Sequence, residues 1–579
     1  MDERPVAPQP LLWPAPTAFD IAILTPGKPV TLDSVLDLFG NGVGTALTVA
    51  NCCLASTGAA VELNLLTYLS TCVKEDWGLS SIEAATITSV VFASGMIGSA
   101  FWGRFSDRNG RYRGIIVPLS LSVCFGLASA GSYNLWWLLV LRGITGFGLG
   151  GEAMPADYIA EVVPPAHRGQ MLVLAGVAFS LGGMYVTTVA WLVLPGGGEN
   201  AWRYLLAACA LPGALALAAF ILFLQESPRW LMTEGRHDEA VASLAVISRR
   251  NGSELPPGLR LKGAARTLHE GSYEDLFAPA MRRTSIASVT LWLLAGLAYY
   301  GVILLIMAIF ASTSGTTCSF SYGFILATSV GELVGELATL STIESWGRIR
   351  TFMVLCFLAS SSNLWMASGL GGSAVTLVTA FVARASIGGM VTVIWVLTPE
   401  IFPTEVRATA HSLGLVFNYA GSAAAPYLVD SGWAQLLIGG IVSASIIACG
   451  AIVRSFSETA GRTVDLVASS DGQIHHTDSV RFPSGRVGSF IGGISPADSS
   501  GSLSGLMGGG GSGGSGGGNG VVRNGGGNVG NGGDGGAGDG GAGNGGAGNG
   551  GSERYTFDLR ARQVQPLPLG AGGDHLTML

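Results

Sequence analysis

Glu62 in "GAAVELNLL", Arg142 in "LVLRGIT", Glu152 in "GLGGEAM" and Glu332 in "VGELVGEL" interrupt apolar runs in a chain of which only 12% is Asp, Glu, Lys or Arg. A charged side chain at mid-bilayer costs about 2.5–3.5 kcal/mol on insertion scales, so it needs a partner, water, or a role in moving a solute or proton. A carboxylate can hold a cationic solute or exchange a proton, and Arg142 is the intramembrane cation available to pair with an acid. Glu62 and Glu332 read as cavity-facing. Glu336 shares a helix face with Glu332, but it and Asp157 lie nearer helix ends and read as structural. Tyr299, Tyr300 and Asn418, with Tyr419, are candidate cavity lining, although aromatic helix packing would use the tyrosines as well.

A second group of charges sits between apolar runs. "GRFSDRNGRYRG" (103–114) contains Asp107-x-x-Gly110-Arg111-x-Arg113, with Arg108 inside it, and the spacing recurs as Glu344-x-x-Gly347-Arg348-x-Arg350. Glu161-x-x-Pro164-x-x-x-Arg168 recurs as Glu400-x-x-Pro403-x-x-x-Arg407 at nearly the same offset. Arg142 is matched by Arg384, and "ESPR" (226–229) by "SETAGR" (457–462). Four matched features argue for an internal duplication, with parallel repeats about an axis normal to the membrane and a substrate site between them. One exposed Glu–Arg pair is worth about 0–1 kcal/mol, but a network made in one state and broken in another biases an equilibrium. Arg104 and Arg113 read as simple anchors.

The elements that must position these residues are membrane helices. The chain has 579 residues, 49% of them hydrophobic, and a mean hydropathy of +0.47. Runs long enough to span a bilayer fall near 46–71, 82–103, 114–132, 135–159, 170–195, 202–224, 284–312, 319–341, 351–369, 374–398, 408–430 and 432–454. That is an all-α membrane protein of twelve transmembrane helices in two pseudo-symmetric six-helix bundles. Frequent Gly, Ala and Ser allow close backbone approach between its helices.

Arginines fill the even-numbered connections. The odd-numbered ones lack Lys and Arg, apart from one lysine in "CVKEDWG". Positive residues stay cytosolic, so both termini are expected there. The domain reading is a cytosolic segment 1–43, a first bundle 44–224, a cytosolic loop 225–283, a second bundle 284–456 and a Gly-rich disordered cytosolic tail 457–579. "EGRHDEAVASLAVISRR" inside the loop reads as an amphipathic helix.

"GRFSDRNGRYR", Arg142 with "GITGFGLGG", "ESPRWLMTEGR", "TPEIFPTEVRATA" and "SETAGRT" resemble the strings of the major facilitator superfamily, in its sugar-porter and organic-ion-transporter lineage. The resemblance covers about residues 31–465. "TLDSVLDLFGNG", "WGLSSIEAATITSVVFASGMIGS", "YEDLFAP" and "AYYGVILL" resemble its synaptic-vesicle-2-related branch. The resemblance implies alternating access. It also implies a cytosolic gate of Asp107, Arg108, Gly110, Arg111, Glu161 and Arg168 in the first half and Glu344, Arg348, Glu400 and Arg407 in the second. An acid at Glu62 fits the branch pattern, while Ala59 stands where a second acid occurs.

The expected function is secondary active transport of a small organic solute, foremost an organic ion, with proton coupling left open. The seventh span lacks the Gln- and Asn-bearing pattern of sugar porters, so a sugar transporter is the runner-up. A non-transporting vesicle or organelle membrane protein is the rival class. The substrate or proton site is drawn from Glu62, Arg142, Glu152, Tyr299, Tyr300, Glu332 and Asn418.

No nucleophile–base pair, metal cluster or phosphate loop supports an enzyme, and no cofactor or nucleic-acid partner is expected. The lipid bilayer is the main partner, the expected state is a monomer, and the site of residence is the plasma membrane or an intracellular membrane. "NGS" (251–253) fits a glycosylation acceptor on the wrong side of the membrane. Thr577-Met578-Leu579 suits a PDZ groove. Most of the eight cysteines lie inside apolar runs and read as small buried hydrophobes, with a disulfide open to Cys72 and Cys318 near the exterior face.

Overall fold

The structure, a computed structural model, describes residues 29–40, 42–164, 168–196, 198–256, 258–262, 273–311, 318–402 and 406–459. The chain divides into a unit ending at Ser484 and a second, Gly485–Leu579. The second unit, the Gly-rich tail beyond residue 459 and the terminal Thr577-Met578-Leu579 lie outside the described residues.

Helix ends follow the local chemistry. Thr31 caps α1 (Leu32–Phe39) by accepting from the Ser34 N–H at 3.3 Å. The long α2 (Val43–Trp77) stops at Gly78, which takes the left-handed conformation (φ 62°) that favours glycine. Ser80 and Glu83 form a reciprocal capping box that opens α3 (Ser81–Asn109). α4 (Arg111–Ala128) follows Gly110 directly, and Asn134 caps α5 (Leu135–Leu149) through the Trp137 N–H at 2.8 Å. The first half continues with α6 (Met154–Val162), α7 (Arg168–Val193), α8 (Ala201–Cys209) and α9 (Leu211–Phe223). Short α10 (Pro228–Thr233) and α11 (His237–Arg250) follow, then α12 (Tyr273–Leu276). The second half is α13 (Arg282–Ile309), α14 (Tyr322–Ile343), α15 (Arg348–Ser368), α16 (Gly372–Ile401), α17 (Arg407–Val429) and α18 (Gln435–Val453).

Ten of these segments are long and apolar enough to cross a membrane, with α8 and α9 counted as one. The α5–α6 pair and α17 complete twelve crossings. The fourth span, expected to be continuous over 135–159, is broken between Leu149 and Met154. The Gly151 and Glu152 N–H groups bond three residues back, to Gly148 and Leu149, and Pro155 opens the next helix. That turn displays Glu152. α2 also outruns its expected 46–71 by a turn or more toward Trp77.

Two seams join the halves: α3 lies along α17, and α7 along α14. At the first seam, a Cβ on Gly95 would lie 2.9 Å from the Tyr419 ring, so glycine permits the approach.

The N-terminal segment contributes a packed helix. α1 buries Val35, Leu36 and Phe39 against Trp230, Leu231, Ala240 and Leu244 of α10 and α11. α11 is the amphipathic helix expected from its sequence. Asn251 staples this cluster to the membrane helices. Its Nδ2 donates to the Phe39 carbonyl (2.9 Å) and Thr45 Oγ1 (3.0 Å), and its Oδ1 accepts from the Thr45 N–H (2.9 Å). The "NGS" asparagine is thus a half-buried joint.

Candidate functional site

Two arginines lie buried in the spans, one per half, and each has found an acid. Arg142 on α5 is fully buried; its Nη1 donates to Glu62 Oε2 at 2.9 Å, Nε to Ser129 Oγ at 3.0 Å and Nη2 to the Gly126 carbonyl at 2.9 Å. Arg384 on α16 donates through Nε to Glu332 Oε2 at 2.9 Å, and through Nη2 to Asn64 Oδ1 at 3.4 Å across the halves. The Tyr299 hydroxyl donates to the other oxygen of Glu332. Asn64 stands two residues beyond Glu62 on α2, a spacing that puts it on a different side of the helix. The structure turns it to the second half.

Glu152 differs. Its Oε1 accepts from the Tyr419 hydroxyl at 2.8 Å across the α3–α17 seam, and its Oε2 is buried with no hydrogen-bond partner. Among the described residues no lysine or arginine forms an ion pair with it. A cavity of about 40 Å³ is lined by Glu62 and Glu152 together with Ser122, Cys209 and small residues such as Ala55, Gly58 and Gly151. That volume holds a water or two. Buried Glu336 also keeps an oxygen without a hydrogen-bond partner, and Arg384 is bound to Glu332 rather than to it.

Tyr300 and Asn418 serve packing in this conformation. The Tyr300 ring lies 4.4 Å from that of Phe92, on the facing half. Asn418 Nδ2 reaches the Trp292 carbonyl at 3.5 Å, within its own half.

The duplicated motifs form two matching networks on one face. In the first half Arg111 donates to Glu161 (2.8 Å), Asp107 (2.5 Å) and Ser106 (3.1 Å). In the second, Arg348 forks onto Glu400 (3.0 and 3.1 Å) and Glu344 (2.8 and 3.0 Å). Each helix that follows the motif glycine is capped by a distant carboxylate. Glu226 accepts from the Arg111 and Tyr112 N–H groups, at 2.7 and 3.2 Å; Glu458 accepts from those of Arg348 and Ile349, at 2.9 and 3.1 Å. These anions sit at helix N-termini, where backbone donors and the dipole favour them. Gly110 and Gly347 sit at φ 96° and 89°, and a Cβ on either would approach the capping carboxylate to 2.2 or 2.7 Å.

At two gate residues the structure differs from the expectation, and a third lies outside the described side chains. Arg407 does not join Glu400, and its Nε and Nη2 are buried with no hydrogen-bond partner among the described residues. Arg108 is exposed. The side chain of Arg168 lies outside the described residues. The motifs assign no role to Glu226, Glu458, Arg384 and Asn64. The first two were signalled by the matched "ESPR" and "SETAGR" strings, and Arg384 by its match to Arg142.

The model of the family described as "Sugar (and other) transporter" matches residues 43–469. The synaptic vesicle 2-related protein of Xenopus laevis is 33% identical over 377 residues, which are 61% of this chain and 67% of that protein. Organic cation/carnitine transporter 7 of Arabidopsis thaliana is 28% identical over 491 residues, 76% of this chain and 97% of that one. Among solved structures, the inward-open conformation of the xylose transporter XylE from E. coli aligns with a TM-score of 0.56 at 18% identity. It covers 73% of this chain and 98% of its own, and establishes the fold alone. A twelve-helix fold, a duplicated arginine motif and a family match across both halves agree: the chain belongs to the sugar (and other) transporter family of the major facilitator superfamily.

Proposed function

We propose that this protein is a secondary active transporter that carries a small organic cation by alternating access, with its arginine-bearing face and termini in the cytosol. The observation that carries the reading is Glu152, a half-buried residue at the seam between the halves, held by a phenol through one carboxylate oxygen and left with the other oxygen buried and without a hydrogen-bond partner. Glu62 and Glu332 are each neutralised by an arginine. Glu152 and Glu336 each keep a carboxylate oxygen without a partner, and Glu152, which lines the cavity and meets the second half through Tyr419, is the one placed to accept a cationic group from a solute. Because Tyr419 lies on the other half, a ligand engaging Glu152 competes with or reinforces a contact between the halves. A transporter cycle requires such a link between occupancy and rearrangement.

The name of the Arabidopsis relative, an organic cation/carnitine transporter, supports a cationic substrate class. That of the Xenopus relative supports residence in a vesicle membrane. Glu62 is the proposed proton site: protonation would release Arg142 from its counter-ion and make the paired charge available to a driving gradient.

The test is uptake into proteoliposomes of organic cations, monocarboxylates and sugars, with and without a pH gradient. Under reducing conditions wild type should accumulate a cation. Glu152→Gln, nearly isosteric and still able to accept from Tyr419, should cut that uptake at least tenfold while the protein stays folded. Unchanged cation uptake in Glu152→Gln overturns the assignment. Saturable sugar uptake without cation uptake moves the substrate class, and no uptake of any class favours a non-transporting membrane protein.

A further inference from the structure

The face opposite the arginine motifs carries a covalent bond between the halves. Cys72 lies in the last turns of α2, in the first half, and Cys318 lies four residues before α14, in the second. Their sulfurs are bonded, with Cα atoms 4.7 Å apart, within the range a disulfide spans. Contacts beside the bond also cross between halves. Glu75, one turn beyond Cys72, accepts from the Cys318 backbone N–H, and the Tyr68 ring meets that of Phe320 edge-on at 5.2 Å. Cys318 is the one described non-glycine residue with positive φ, at 62°. A side-chain-bearing residue held there needs its surroundings to impose it, and here a bond to one half and a hydrogen bond to the same helix do so.

By contrast, the ion pairs of Arg111 and Arg348 on the arginine face each close within their own half. Alternating access requires the halves to part at each face in turn. A covalent bridge between α2 and the approach to α14 forbids that at one face only.

We infer that the Cys72–Cys318 disulfide is a redox lock on the transport cycle, holding the face opposite the arginine motifs shut until it is reduced. This rests on the transporter reading above. Opening consumes one equivalent of a dithiol reductant, or two of a monothiol. The S–S bond breaks, two electrons and two protons convert it to the Cys72 and Cys318 thiols, and the reductant leaves as its own disulfide. Reoxidation by a disulfide-class oxidant restores the lock. Both sulfurs are largely buried, so reduction should require prior loosening of the Tyr68–Phe320 contact or a small reductant.

The experiment uses the full chain in liposomes. Peptide mapping without reductant establishes the fraction bridged. Distances are then measured between labels attached by cysteine-independent chemistry at Tyr133 and Leu370, which are exposed on that face in opposite halves. Oxidised protein should give one short distance. Dithiothreitol, or Cys72→Ser with Cys318→Ser, should add a longer population and raise uptake at least tenfold.

Free thiols at 72 and 318 under oxidising conditions overturn the proposal. So does an unchanged distance distribution, or full uptake by protein mapped as bridged. A distance shift with no uptake in any sample keeps the lock and removes the transporter reading, so the two failures are distinguishable.

Discussion

Removing the charge of Glu62 tests the central ion pair most directly. Arg142 is fully buried and its guanidinium nitrogen stands 2.9 Å from Glu62 Oε2. Two unit charges about 4 Å apart interact by about 4 kcal/mol at an effective dielectric of 20. Breaking a buried pair by removing one partner typically costs about 3–5 kcal/mol, because the remaining charge stays buried. Glu62→Gln keeps an oxygen that can accept from Arg142, and Ser129 and the Gly126 carbonyl still satisfy the other nitrogens. The loss is therefore of charge, not of hydrogen bonds.

Arg142→Gln leaves the converse, an unneutralised carboxylate. The double variant Glu62→Gln/Arg142→Gln buries two neutral amides that can bond to one another. Its stability should lie above the sum of the single losses by roughly 3–4 kcal/mol. The assay is reversible unfolding of the four proteins in mixed detergent, followed by tryptophan fluorescence, beside uptake and exchange in proteoliposomes. Rescue of stability without rescue of uptake marks the pair as functional. Additivity within about 0.5 kcal/mol would refute the coupled pair. Wild-type pH dependence of uptake in a folded Glu62→Gln protein would remove Glu62 from the mechanism.

Two further outcomes follow from the arginine-bearing face. Gly110→Ala and Gly347→Ala each place a Cβ against a capping carboxylate at positive φ; each should destabilise by about 1–3 kcal/mol, read as a lowered thermal midpoint, with similar effects in the two halves. Asn251 spends its side-chain amide on Phe39 and Thr45, so endoglycosidase treatment should leave electrophoretic mobility unchanged. Asn251→Ala should cost about 1–3 kcal/mol and increase proteolytic cleavage near residue 40; a glycosylated Asn251 in folded protein contradicts this packing.

What could be read from the amino acids, and what could not, divides along the distance between partners. Arg111 with Asp107 and Arg348 with Glu344 are four residues apart on a line of chain, and the spacing announced both. The break after Leu149 was less visible, since glycine in a membrane helix signals close packing as readily as it signals a turn. α1 went unrecognised because eight residues make too short a periodic pattern, and what stabilises it is Trp230 and Leu244, some two hundred residues away.

The buried pairs show the limit most clearly. The repeat matched Arg142 with Arg384, but their acids are not equivalent. Glu62 comes from the first span of its half, Glu332 from the second span of the other. Duplication preserved the position of the cation while the counter-ion changed helix, because any neighbouring helix that projects a carboxylate into the same space satisfies the same electrostatic requirement. Local spacing records neither choice. Nor does it record that Tyr419 reaches across the seam to Glu152, which makes that carboxylate sensitive to how the halves sit.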